Sequence, residues 1–77
     1  MKEAVEMIVK ALVNEPERVE VRETEGERGT VTIEVRVAQE DVGKVIGRQG
    51  STIRALRSVL HAAGMKHNRR FVLDVLE

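Results

Sequence analysis

Seventy-seven residues with a mass of 8.6 kDa leave room for one small domain with a limited core, and 42% hydrophobic with 34% charged residues is a globular composition. The absence of cysteine excludes disulfides and thiolate metal sites, and two histidines without cysteine argue against structural zinc. Thirteen basic and thirteen acidic residues cancel to a net charge of zero, which taken alone argues against a nucleic-acid partner, and the single aromatic residue, Phe71, excludes modules that stack bases on rings.

The chain opens with MKEAVEMIVKALV, whose Glu3 and Glu6 interrupt the apolar stretch; it does not read as a secretory signal, and a cytoplasmic location is expected. From Glu3 to Val13 the residues Val5, Ile8 and Leu12, widened by Ala4, Met7 and Ala11, recur at the spacing of one helix face. Asn14 and Pro16 end this helix, because a proline disfavours helical backbone at the residue before it. Alternation then replaces the helical period. Val19 and Val21 face one way and Glu20 and Arg22 the other, predicting a short strand. A polar turn over Glu25 to Gly29 leads to Val31, Ile33, Val35 and Val37 alternating with Thr32, Glu34 and Arg36, a strand with one wet face that pairs with the first as a hairpin.

A short helix is predicted at about Glu40 to Ile46, with Glu40 and Asp41 at the end that favours negative charge and Gly47 as its stop. A second helix from about Ser51 carries Ile53, Leu56, Leu60 and Ala63 on one face, with Gly64 as its C-terminal cap. The basic stretch Met65 to Arg70 hands over to a last strand, Phe71 to Leu76. The order α-β-β-α-α-β predicts an α+β domain with three helices packed on one face of a three-stranded sheet. For so small a domain without disulfides, oligomerisation is a further expected source of stability.

The zero charge is unevenly spread. Residues 1–41 hold six basic and eleven acidic residues, and residues 42–77 hold seven basic and two acidic ones. Between Val42 and Leu73 there are only cations: Lys44, Arg48, Arg54, Arg57, Lys66, Arg69 and Arg70. Such a run reads either as a solvated face or as a phosphate-tracking surface, and its bracketing of a glycine turn favours the second. The acidic first half is then expected to keep the domain soluble and to limit binding away from that turn.

That turn lies in VGKVIGRQGSTIRAL, where Gly47 and Gly50 enclose Arg48 and Gln49 between two helices. Glycines let a sugar-phosphate backbone come close, the N–H groups opening the next helix point toward it, and Arg48 offers a fork of donors suited to phosphate oxygens. A pair of glycines three apart is common; an Ile-Gly-x-x-Gly-x-x-Ile core formed by Ile46, Gly47, Gly50 and Ile53, with helices on both sides and strands beyond, is much less so. On this motif and element order the chain resembles a KH domain of the type II form. Over residues 1–77, and above all in EDVGKVIGRQG, it is similar to the small stand-alone bacterial KH proteins of the KhpA family.

The resemblance implies a single KH domain that binds single-stranded RNA through its GxxG loop, with Gly47, Arg48, Gln49 and Gly50 as the backbone clamp. Lys44 before the loop, Ser51 after it, and Arg54 and Arg57 on the following helix would flank the clamp, and Ile46 would contribute to an aliphatic groove. It further implies a homodimer or pairing with a second KH protein of the KhpB (Jag or EloR) type, and a role as RNA chaperone or post-transcriptional regulator, in some bacteria linked to cell shape. No cofactor, metal, membrane or small-molecule substrate is implied.

Several residues keep two readings at this level. Val45 and Ile46 suit core packing or a groove floor, and Ser51 and Thr52 are explained by capping alone. Gly43 costs its helix about 1 kcal/mol relative to alanine, which points first to close approach by a neighbouring element and second to a ligand role. Arg69 and Arg70 are a charged edge or an extension of the basic surface. His61 and His67 lack ligand spacing. Two other function classes remain: a helix-turn-helix DNA binder using the helix from Ser51 to Gly64, and a protein-interaction module. An enzyme is the poorest reading, with no P-loop ending and no His-carboxylate pair at helix spacing.

Overall fold

The computed structural model describes residues 1–76. Helix α1 spans Lys2–Leu12, strands β1 and β2 span Glu20–Glu25 and Thr30–Arg36, helices α2 and α3 span Val42–Ile46 and Ser51–Lys66, and strand β3 spans Arg70–Leu76. Single 3₁₀ turns at Pro16–Arg18, Glu27–Gly29, Gln39–Asp41 and Arg48–Gly50 join them. The predicted α-β-β-α-α-β order is present, with β1 longer than Val19–Arg22 and α3 running past its expected end.

The sheet is mixed, in the order β1-β2-β3. β1 pairs antiparallel with β2, Glu20 opposite Arg36 and Glu25 opposite Val31, whereas β3 runs parallel to β2 with Val31 beside Phe71 and Val35 beside Val75. A parallel partner requires a crossover, and α2 and α3 supply it. The strand period of two sends Val31, Ile33 and Val35 to the helix side, where all three are essentially inaccessible, while Thr32, Glu34 and Arg36 face outward. Val5, Val9, Val19, Val21, Val37, Val45, Leu56, Leu60 and Leu73 complete the core. Full burial of one such side chain is worth about 1.5–3 kcal/mol, so this single layer of contacts carries most of the fold's stability.

The first helix corrects its expected face. Val5 and Val9, four apart, enter the core, and Val13 packs beside them. Ile8 and Leu12 sit at the rim, Met7 is 68% exposed, and Ala4 and Ala11 face solvent. The apolar arc of α1 is wider than the strip of sheet it covers, and the sheet takes only the side that includes Val9.

Two glycines are also reassigned. Gly64 does not cap α3, because the helix continues through Lys66; Gly64 is buried, and a Cβ there would overlap the Arg69 carbonyl. Its own carbonyl accepts from the amides of His67 and Arg69 at 3.1 and 2.7 Å, with Asn68 left-handed between them at φ 54°. Gly43 is exposed with nothing within 4 Å of a notional Cβ, so no close approach within the protein explains it.

Asp41 is the long-range tie that connects the two ends of this layer. Only 1% exposed, it accepts hydrogen bonds from the Asn14 amide at 3.2 Å and the Glu15 amide at 3.0 Å. Its carboxylate therefore satisfies the chain leaving α1, and makes no cap bond to α2. Hydrogen bonds to an ionised acceptor are about twice as strong as neutral ones, which is how a single buried acid can fix this junction.

Candidate nucleic-acid interface

α2 is one and a half turns long and stops because Gly47 adopts φ 79° and ψ 173°, backbone that side-chain-bearing residues essentially avoid. The Gly47 amide donates to the Gly43 carbonyl at 2.8 Å, and a Cβ on Gly47 would overlap Thr52 Oγ1. Gly47 is thus required by the protein's own packing, whatever approaches from outside. Arg48 follows, then Gln49 at φ 55°, ψ 27° and Gly50 at φ 75°, ψ 15°, two consecutive left-handed residues that reverse the chain into α3.

Gly50 is the N-cap of α3 and offers no side-chain bond, so capping does not explain Ser51 or Thr52. Ser51 is the exposed first helical residue, and Thr52 packs against Gly47. The amides of Gly50 and Ser51 are occupied within the turn, by the carbonyls of Gly47 and Arg48. Those of Arg48 and Gln49 find no acceptor among the described residues. An exposed tip with two free donors, at the N-terminal end of a helix of sixteen residues, is an anion-accepting geometry.

The flanking residues divide. Lys44, Arg48, Gln49, Arg54 and Arg57 are exposed, and among the described residues none of the four cations pairs with a carboxylate. Arg54 instead donates from Nη2 to the Gln49 carbonyl at 3.0 Å, a contact the sequence did not announce. Arg57 and His61 continue the same exposed face of α3. Val45 is fully buried and belongs to the core, while Ile46 is half-buried beside the loop. Arg69 does not extend the basic surface freely: it pairs with Glu25 at 3.1 Å, bridging the two halves of the charge distribution. An open groove along β1, lined by Lys2, Glu20, Arg22, Glu34 and Arg36 among others, alternates charges and shares no residue with the loop.

One titrating group stands away from the loop. A hydrogen bond that the protonated Glu15 carboxyl donates to Glu40, then loss of solvent, then the like charge of Glu40 raise the Glu15 carboxyl above its ordinary value, next to the Asp41 tie.

A sequence profile of the family described as "KhpA/KhpB, KH domain" matches residues 2–75. The relative from Aquifex aeolicus, named "RNA-binding protein KhpA" as are the next two, is 49% identical over the whole chain and 96% of its own length. The relative from Clostridium perfringens is 46% identical over 99% of this chain and all of its own length, and that from Halalkalibacterium halodurans 47% identical over the full length of both.

Proposed function

The chain belongs to the KhpA/KhpB family of KH-domain proteins, and from that premise we propose that it binds single-stranded RNA with the turn from Gly47 to Gly50 as the clamp. The observation that carries this reading is the turn itself: glycine-enforced backbone, two amides without protein acceptors, and a rim of Lys44, Arg48, Arg54 and Arg57 free of carboxylates among the described residues. Phosphates would lie against Arg48, Gln49 and the start of α3 at Ser51, and bases against Ile46, an aliphatic floor that needs no aromatic ring. The net charge of zero is no obstacle, because the acids cluster in the first half of the chain and the cations around the turn.

Replacing Arg48 and Gln49 together with Asp tests the assignment. RNA retention should be lost while the circular dichroism spectrum stays the same, and undiminished binding by that folded variant removes the clamp. Duplex DNA in the same titration separates this reading from a helix-turn-helix, which needs no three-stranded sheet.

The same reading extends to self-association or pairing with a second KH protein of the KhpB type, and to a cytoplasmic RNA chaperone or post-transcriptional regulator linked to cell shape. Support for association comes from apolar residues left in solvent on two helices, Met7, Ile8 and Leu12 on α1 and Val59 and Met65 on α3. Joining two sites that each hold a few nucleotides raises avidity. Sedimentation showing only monomer at high micromolar concentration removes the homodimer. Among the described residues no helix is long and apolar enough to cross a membrane.

A further inference from the structure

The Gln49 carbonyl belongs to a residue one position before the N-cap of α3, so it lies outside the helix ladder. Gln49 is also the loop residue that carries a side chain in left-handed backbone, a conformation that only local restraint keeps populated. The restraint present is Arg54, reaching back one turn along α3 to donate from Nη2 to that carbonyl at 3.0 Å. Rotation of the peptide between Gln49 and Gly50 would break this bond, and the same rotation would re-aim the loop's backbone relative to the free amides of Arg48 and Gln49.

We propose that Arg54 is a positioning residue: it holds the loop in its binding shape before RNA arrives and acts through the Gln49 carbonyl, not through a phosphate. This rests on the RNA-binding reading above. Arginine suits the task because its planar fork can fix a carbonyl from one end, whereas lysine offers a mobile point charge. Arg57, on the same exposed face but without a loop acceptor, is the natural control for loss of charge alone.

The test uses the full chain with Arg54→Gln, Arg54→Lys and Arg57→Gln, amide NMR spectra without RNA, and titration of a short oligouridylate at several potassium chloride concentrations. Arg54→Gln should shift the Gln49 and Gly50 amide resonances in the free protein and weaken oligouridylate binding about three- to tenfold, in the range of one lost ordinary hydrogen bond, as suits a solvent-exposed contact. Its salt dependence should match that of the unaltered protein, with Arg54→Lys recovering part of both effects. Arg57→Gln should leave those resonances in place. The proposal is overturned if Arg54→Gln leaves the loop resonances unmoved, if its affinity is unchanged, or if the slope of log affinity against log salt falls by about 0.7, the mark of one lost single-strand phosphate contact. Failure of the unaltered protein to bind oligouridylate would instead sink the RNA reading and this proposal with it, an outcome distinguished by the titration from a missing restraint seen in the RNA-free spectra.

Discussion

The spacing Gly-x-x-Gly occurs twice in this chain, as Gly26-Glu27-Arg28-Gly29 and as Gly47-Arg48-Gln49-Gly50. The two turns share a backbone. Each is a 3₁₀ turn whose third residue is left-handed, Arg28 at φ 57° and Gln49 at φ 55°, and whose last glycine follows at φ 73° or 75°. They differ at the first glycine and in what comes next. Gly26 has φ −112° and tolerates a Cβ at an ordinary 3.6 Å, whereas Gly47 at φ 79° and ψ 173° does not. The first turn feeds a strand and stands among Glu23, Glu25 and Glu27; the second feeds a helix and stands among Lys44, Arg48 and Arg54. Spacing and turn shape therefore do not make the candidate site. A helix start and the sign of the surrounding charge do.

The largest expected contrast between the turns is in binding. Arg48→Asp with Gln49→Asp should abolish RNA retention in a filter or anisotropy assay, while Glu27→Gln with Arg28→Gln leaves it within about twofold, since that pair removes one surface charge of each sign and leaves the net charge unchanged. Equal losses from both pairs would mean that RNA does not distinguish the turns.

In stability the first glycines should separate next. Gly47→Ala should cost about 3 kcal/mol, from glycine-only backbone together with the overlap on Thr52, and Gly26→Ala close to nothing, both read from urea midpoints. The anchors of the two turns differ in the same way. Asp41→Ala, which strips two amides of their acceptor at the base of α2, should cost about 2–3 kcal/mol; Glu25→Gln, which breaks an exposed pair with Arg69, should cost less than about 0.5 kcal/mol.

A smaller effect tests the shared backbone. Arg28→Gly and Gln49→Gly should each stabilise by about 0.5–1 kcal/mol, because glycine removes the left-handed penalty at the same φ. A gain at Arg28 without one at Gln49 would measure how much the Arg54 bond already offsets.

The smallest effect is a pH dependence beside Asp41. Glu15 has its carboxyl raised in the folded protein, so the native state holds a proton that the unfolded chain has released. Its contribution to stability is therefore greatest at pH below the ordinary carboxylate value and is lost as pH rises through the raised folded value. Glu40→Gln should flatten this dependence and raise the neutral-pH melting temperature slightly; an unchanged profile would show that the two carboxyls do not share a hydrogen bond.

Much of this was legible along the chain. The period of two over Val31, Ile33, Val35 and Val37 and the three-and-four spacing of Leu56 and Leu60 name their own buried faces, because each periodicity is complete within one segment. The loop residues were likewise marked by glycines, charge and neighbouring helices. Asp41 was read as a favourable charge at a helix end, a local role, whereas its partners Asn14 and Glu15 lie 26 to 27 positions away. For Arg69 the sequence leaves a charged edge and an extended basic surface both open, because its partner Glu25 is far off along the chain.

By itself the sequence determined the element order, the buried faces of β2 and α3, and the position of the glycine turn, all consequences of local stereochemistry and side-chain alternation. Tertiary structure alone decided the parallel docking of β3 on β2, the choice of Val9 over Ile8 on α1, the passage of the Arg69 backbone over Gly64, and the hold of Arg54 on Gln49. Those depend on which surfaces meet, and a helix whose apolar arc is broader than its partner surface does not carry the choice within its own pattern.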